Sequence, residues 1–211
     1  VVDVIPTNEE WKAALEERHG IELQNNISGA TVAICGLGGL GSNIAISLAR
    51  AGIGKLILID FDKVDITNLH RQQYKACQLG KYKTDALKEN LLEIAPYLHI
   101  ETHTARITET NITEFLKDAD IICEAFDVAE TKAMLVNEAL EKMPNKYLVA
   151  ASGMAGLGDA NLIKTRKITS RFYLCGDEVS DINDEIGLVS SRVMLCAAHQ
   201  AHTVLQILTQ K

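Results

Sequence analysis

Apolar residues fall into short unbroken runs, separated by stretches in which they recur every three or four positions. Thr31-Val-Ala-Ile-Cys35 and Lys55-Leu-Ile-Leu-Ile-Asp60 are unbroken runs of strand length. Between them Ile44, Leu48 and Ala51 keep helical spacing until Gly52 and Gly54 stop the helix. The same rhythm predicts a helix over residues 83–95 ended by Pro96, and a strand over 99–104. A short helix over Ile112–Leu116, a strand over 120–126, a helix over Ala129–Lys142 and a strand over Tyr147–Ala151 follow. A strand reads as continuously apolar when neither face meets water, which is the condition of a parallel sheet under helices. Strands alternating with helices imply right-handed crossovers, so the pattern predicts an α/β, doubly wound, mostly parallel sheet.

The two ends depart from this rhythm. Residues 8–18 read as a leading helix capped by Asn8, with Trp11 and Leu15 on one face. After Ala151, Gly153, Gly156 and Gly158 mark a loop, and residues 163–165 and 171–174 look like short hairpin-type strands. A last helix over 191–208 aligns Val193, Ala197, Ala201, Val204 and Leu208. A chain of 211 residues suits one domain. The expected layout over 1–211 is an N-terminal helical segment (1–30), a core (31–151) and a C-terminal extension of short strands and a long helix (152–211).

Composition narrows the function. Hydrophobic residues at 47% and charged residues at 23% are an ordinary globular balance without a disordered signature. A net charge of −7 argues against a nucleic-acid surface. No apolar run reaches membrane-spanning length and no charged-then-apolar leader opens the chain, so a cytoplasmic protein without a membrane partner is expected. Five cysteines stand at 35, 77, 123, 175 and 196 without any C-x-x-C pair, which argues against disulfides and zinc. Cys35, Cys123 and Cys196 lie in apolar elements and read as core.

Chemistry concentrates after the first two strands. Gly36, Gly38 and Gly41, with Gly39 between them, form G-x-G-x-x-G between a strand and a helix, the fingerprint of a Rossmann-like nucleotide fold. Asp60 closes the second strand, where a carboxylate can accept both ribose hydroxyls. These residues alone say only that a ligand contains adenosine, and NAD fits as well as ATP.

The following stretch separates the two ligands. Asp60-Phe-Asp-Lys-Val-Asp-Ile-Thr-Asn68-Leu-His-Arg71-Gln72-Gln73, then Gly80-Lys81-Tyr-Lys83, resembles the signature of the ThiF, MoeB and ubiquitin-activating superfamily. Glu124-Ala-Phe-Asp127 falls where that superfamily has an aspartate after the fourth strand. Ala151-Ser-Gly-Met-Ala-Gly156 and Cys196-Ala-Ala-His-Gln-Ala201 resemble the short ThiF subgroup. The resemblance implies adenylation of a small ubiquitin-like sulfur carrier ending in Gly-Gly, as in thiamine (thiazole) biosynthesis. It assigns ribose to Asp60, phosphates to Asn68, Arg71 and Lys83, and magnesium accompanying ATP to Asp127. It further implies a homodimer in which Arg18 reaches the triphosphate bound to the neighbouring subunit.

The physics of that reaction agrees. The attacking carboxylate is already ionised at neutral pH, so the site must supply positive charge and alignment rather than a strong base. Each residue also has a plainer reading. Arg71 fits a solvated loop, and Asp127 with Glu130 fits a helix-capping pattern. Arg18 fits a helix C-terminus, with Gly20 as the stop. Lys83 opposes the dipole of the helix that it opens, which favours a ligand role. Asp62 and Asp65 lie in the same loop and are left outside the site as exposed residues. Larger relatives carry two zinc-binding C-x-x-C pairs that are missing here, so no zinc is expected. Cys175 is the one candidate for a covalent carrier thiol, against a structural role at a strand end. Two other readings stay open: activation of a carboxylate on tRNA, as in threonylcarbamoyladenosine dehydration, and a non-catalytic nucleotide-sensing or scaffold protein. The first asks for basic surface. The second would expect the set of Arg71, Lys83 and Asp127 to be broken.

Overall fold

The computed structural model describes residues 5–181, 183 and 186–209, so residues 1–4, 182, 184, 185, 210 and 211 of the expected single domain lie outside the described residues. Two helices lead, α1 (Asn8–His19) and α2 (Ile21–Ser28), followed by β1 (Thr31–Cys35), α3 (Gly39–Arg50), β2 (Lys55–Ile59) and α4 (Lys83–Ile94). Next come β3 (His99–His103), α5 (Ile112–Leu116), β4 (Ile121–Glu124), α6 (Ala129–Lys142) and β5 (Tyr147–Ala151). The chain continues with β6 (Lys164–Lys167), β7 (Phe172–Gly176) and the long α7 (Ser190–Leu208).

All seven strands join one sheet in the order β3-β2-β1-β4-β5-β7-β6. Every pairing is parallel except that of β6 with β7. The period of two along each strand sends alternate side chains into two cores. Val32 and Ile34 of β1, Leu56 and Leu58 of β2, and Ile121 and Cys123 of β4 face one core, under α3, α4 and α7. Ala33, Cys35, Ile57, Ile59 and Ile122 face the other, under α5 and α6. Burial on both faces is why these strands read as unbroken apolar runs.

The structure refines the ends. Thr7, not Asn8, caps α1: its hydroxyl accepts the Glu10 amide while the Glu10 carboxylate accepts the Thr7 amide. Gly20 ends α1 at a φ of 83° and at once leads into α2, which the sequence did not announce. Strand β4 stops at Glu124, short of the expected 126, because the Phe126 amide turns back to the Glu124 carboxylate. The late hairpin is no appendage, since β7 pairs in parallel with β5 and carries the main sheet onward. Among the described residues no helix is long and apolar enough to cross a membrane.

Candidate active site

Helices α3 and α4 cover one face of the sheet, and α5 and α6 cover the other, so the crossovers leave β1 and β4 in opposite directions. Such a divergence opens a crevice at the carboxyl ends of the strands. Here it is a cleft of about 770 Å³ lined by residues following β1, β2, β4 and β5.

The glycine run makes its floor. Gly36 has a φ of 92°, and a Cβ there would lie 2.7 Å from the Ala125 carbonyl oxygen. Gly38, Gly39 and Leu40 line the cleft at the start of α3, which no side chain caps, so its first amides are left for a ligand. Gly41 does not line the cleft. A Cβ there would overlap the Gly36 carbonyl, so this glycine serves the close approach of α3 to β1 rather than ligand contact.

Charged groups stand around that floor. Asp60 is buried, and its two oxygens accept the amides of Leu37 and Asp62, each at 2.7 Å. Burial pushes its carboxyl up, and nearby Lys83 and those two amides work against the rise. Each oxygen keeps a lone pair for a hydroxyl donor. Lys83 opens α4 as a buried ammonium, with Nζ 3.0 Å from Asp62 Oδ2. Asp62, exposed as expected, nevertheless lines the cleft beside that ammonium. Asp65, by contrast, accepts the Thr67 amide and caps a short 3-10 turn.

Arg71 is steered by Asn68, whose Oδ1 accepts from Nη2 at 3.1 Å. Its Nε is buried without a hydrogen-bond partner among the described residues. Burial lowers the pKa of this guanidinium, and the charge of Asp127 opposes that. The neighbouring Gln72, passed over as a site residue in the sequence reading, also lines the cleft with an unpartnered buried Oε1. Native proteins bond nearly all buried polar atoms, so these two stand out beside the cleft.

Asp127 lines the cleft from the turn after β4, with its side chain exposed. It does not cap α6, whose N-cap is Val128 without a side-chain bond, so the capping reading fails. Behind it, Glu124 is fully buried and paired with Lys132. At the cleft mouth the Arg106 guanidinium sits 4.2 Å from the Phe61 ring centroid. Arg18 lies exposed in the last turn of α1, and is not among the residues lining this cleft.

The cysteines divide clearly. Cys175 is buried on β7 beside the hydroxyls of Thr165 and Thr203, and burial pushes its thiol up, away from thiolate character. That is the structural role. Cys35, Cys123 and Cys196 are buried as expected, and Cys77 is exposed. Among the described residues no three His, Cys, Asp or Glu side chains are grouped to hold a metal.

MOCS3 of Aedes aegypti, named an adenylyltransferase and sulfurtransferase, is 35% identical over 136 residues, 64% of this chain and 31% of that protein. UBA4 of Lodderomyces elongisporus, named likewise, is 27% identical over 90% of this chain and 42% of its own length. The chain thus spans less than half of these relatives. The E. coli tRNA N6-threonylcarbamoyladenosine dehydratase TcdA, solved with ATP, shares the fold with a TM-score of 0.86 at 19% identity, covering 98% of each chain. The ThiF family model matches residues 12–211, and with the glycine floor and the loop from Asp60 to Lys83 in one cleft, the chain belongs to the ThiF family.

Proposed function

We propose that this chain uses ATP to adenylate the C-terminal carboxylate of a small ubiquitin-like sulfur carrier ending in Gly-Gly, in thiazole formation for thiamine, as a cytoplasmic homodimer. One observation carries the reading. Arg71 and Lys83, on a loop and a helix start that lie apart in sequence, line the same cleft as Asp127, beside an uncapped helix N-terminus.

In the reaction a carboxylate oxygen attacks the α-phosphorus, forming an acyl–phosphate bond as the bond from that phosphorus to the pyrophosphate breaks. Both reactants are anions, so their approach is uphill unless cations face them. Arg71, held by Asn68, supplies one positive charge toward the phosphates. Lys83 adds a second positive charge, fixed by Asp62. Asp60 takes the ribose, which sets the nucleotide in register. The exposed Asp127 carboxylate fits magnesium brought with ATP, an ion that needs only one or two protein carboxylates beside phosphate oxygens. Magnesium would neutralise charge on the departing pyrophosphate. Asp127 and the phosphates would hold it.

A second reading, activation of a carboxylate on modified tRNA, is favoured by strand β6. Its Lys164 and Lys167 are exposed at the sheet edge, with Arg166 between them paired to Glu178, a local basic strip on an acidic chain. ATP–pyrophosphate exchange, run with Gly-Gly-ended carriers and separately with tRNA, decides between them. Exchange with a carrier alone supports the first reading; exchange with tRNA alone replaces it. Calorimetry is expected to give binding of ATP with magnesium and none of NAD. Binding of NAD without ATP would instead remove both readings.

A further inference from the structure

The carboxylate of Glu124 ends β4 with no solvent exposure, yet it stands directly beneath the turn that carries Asp127. Its Oε1 accepts the Phe126 amide at 2.8 Å, and its Oε2 lies 3.4 Å from the Ala151 amide. Lys132, in the first turns of α6, donates to Glu124 Oε1 at 2.9 Å and to the Phe126 carbonyl at 3.0 Å. The three residues before Asp127 are therefore closed into a ring, with the ammonium bridging both ends. From α7, Gln200 Nε2 donates to the Glu124 carbonyl at 2.9 Å and anchors the ring from below.

A buried ion pair is a poor device for stability, because well-packed apolar residues of similar size often do as well or better. What apolar residues cannot do is bond the amide and the carbonyl of Phe126 at once. The pair fixes a turn. Asp127 itself makes no hydrogen bond among the described residues that would hold its side chain, so its placement depends on the backbone behind it.

We propose that Glu124 and Lys132 are positioning residues: the buried pair sets the 124–126 turn so that the Asp127 carboxylate is presented into the cleft for magnesium. This deepens the adenylation reading and rests on it. Lys132 also lines the cleft, so the rival role is direct contact with a phosphate. The two roles differ in what they need. A phosphate contact acts on ATP with or without metal, whereas a positioned Asp127 acts only on the metal-dependent part.

The test uses the full chain with Lys132→Met, the charge-neutral double variant Glu124→Gln with Lys132→Met, and Lys132→Arg. The double variant keeps the test alive if the lone methionine leaves Glu124 too costly to fold. Amide hydrogen exchange over residues 125–128 and ATP binding with and without magnesium are measured on each folded protein. Expected are exchange at least several-fold faster in 125–128, a several-fold higher magnesium concentration for half-maximal tightening of ATP, and unchanged metal-free ATP affinity. Lys132→Arg should restore both. Unaltered exchange in 125–128 overturns the proposal, as does a fall in metal-free ATP affinity. If the unaltered chain binds no ATP at all, the adenylation reading fails, while the exchange arm still judges the tether alone.

Discussion

Single side chains in the cleft divide by what their removal leaves behind. Asp127 is exposed and bonded to nothing among the described residues, so Asp127→Ala is expected to lower adenylation roughly 10²–10³-fold while the melting temperature stays put. Arg71→Ala should lose a similar factor with a small stability change, since it deletes a buried unpaired donor rather than creating one. Lys83→Ala should match them in rate yet differ in stability, because it strands Asp62 and removes the cation that offsets the burial of Asp60. Pyrophosphate exchange beside thermal melts on the same preparations reads both quantities. Equal rates in all three variants and the parent would dismiss the assignment. Arg71, Lys83 and Asp127 were legible in the sequence because their spacing repeats a known signature. Asp62 was not, since an acid in a polar loop looks solvated until the lysine 21 residues later folds against it. Gln72 was hidden for the opposite reason, because only burial reveals that its oxygen lacks a partner.

Elements were legible where burial wrote them into composition. Strands β1 and β5 match their expected spans and β2 ends one residue early at Ile59, because both faces are covered, whereas α2 spans eight residues and shows too little periodicity to be seen. The pairing of β7 with β5 was out of reach, since a parallel partner leaves no local turn signal. The same region carries a buried clamp. Asp177 Oδ2 lies 2.6 Å from Arg192 Nη2, and Arg192 also donates to the carbonyls of Gly158 and Asp159. Burial works against the Asp177 charge, yet the amides of Ser180 and Val179 and the Arg192 guanidinium bring its carboxyl down to about 2. A carboxyl depressed in the folded state stabilises above its unfolded pKa and stops doing so as pH falls through the folded one. The clamp should therefore hold at neutral pH and fail between roughly pH 4 and pH 2. Compared with Asp177→Asn, the parent should melt higher near neutrality, and the gap should close over that acid range. A gap of constant width down to the acid limit would show that Asp177 does not titrate with folding.

At the scale of the whole molecule the open question is whether one chain makes a complete site. Arg71, Lys83 and one magnesium supply about four positive charges, which ATP alone offsets before a carboxylate arrives; Arg106 and the Glu124-paired Lys132 also line the cleft. Arg18 lies outside its own cleft lining and is the expected third cation, offered to a neighbour. Mixing Arg18→Ala with Asp127→Ala should regenerate about a quarter of parental exchange activity, since half the molecules become heterodimers with one intact site each. A mixture as inactive as its parents, with subunit exchange demonstrated, removes the shared site. Helix α7 raises a matter of timing. It packs on α3 with Val193 against Gly39, and Gln200 binds the end of β4 and the middle of β5, so the glycine floor and the Asp127 turn lean on a helix made after the sheet. During synthesis, β5 is finished about 40 residues before α7 begins, a delay of roughly 2–8 seconds at usual elongation rates. Nascent chains arrested on the ribosome with α7 still in the exit tunnel should pass through ATP-agarose, and those with α7 released should be retained. The cell would thus hold a young chain that has its sheet but no grip on nucleotide until α7 clears the tunnel.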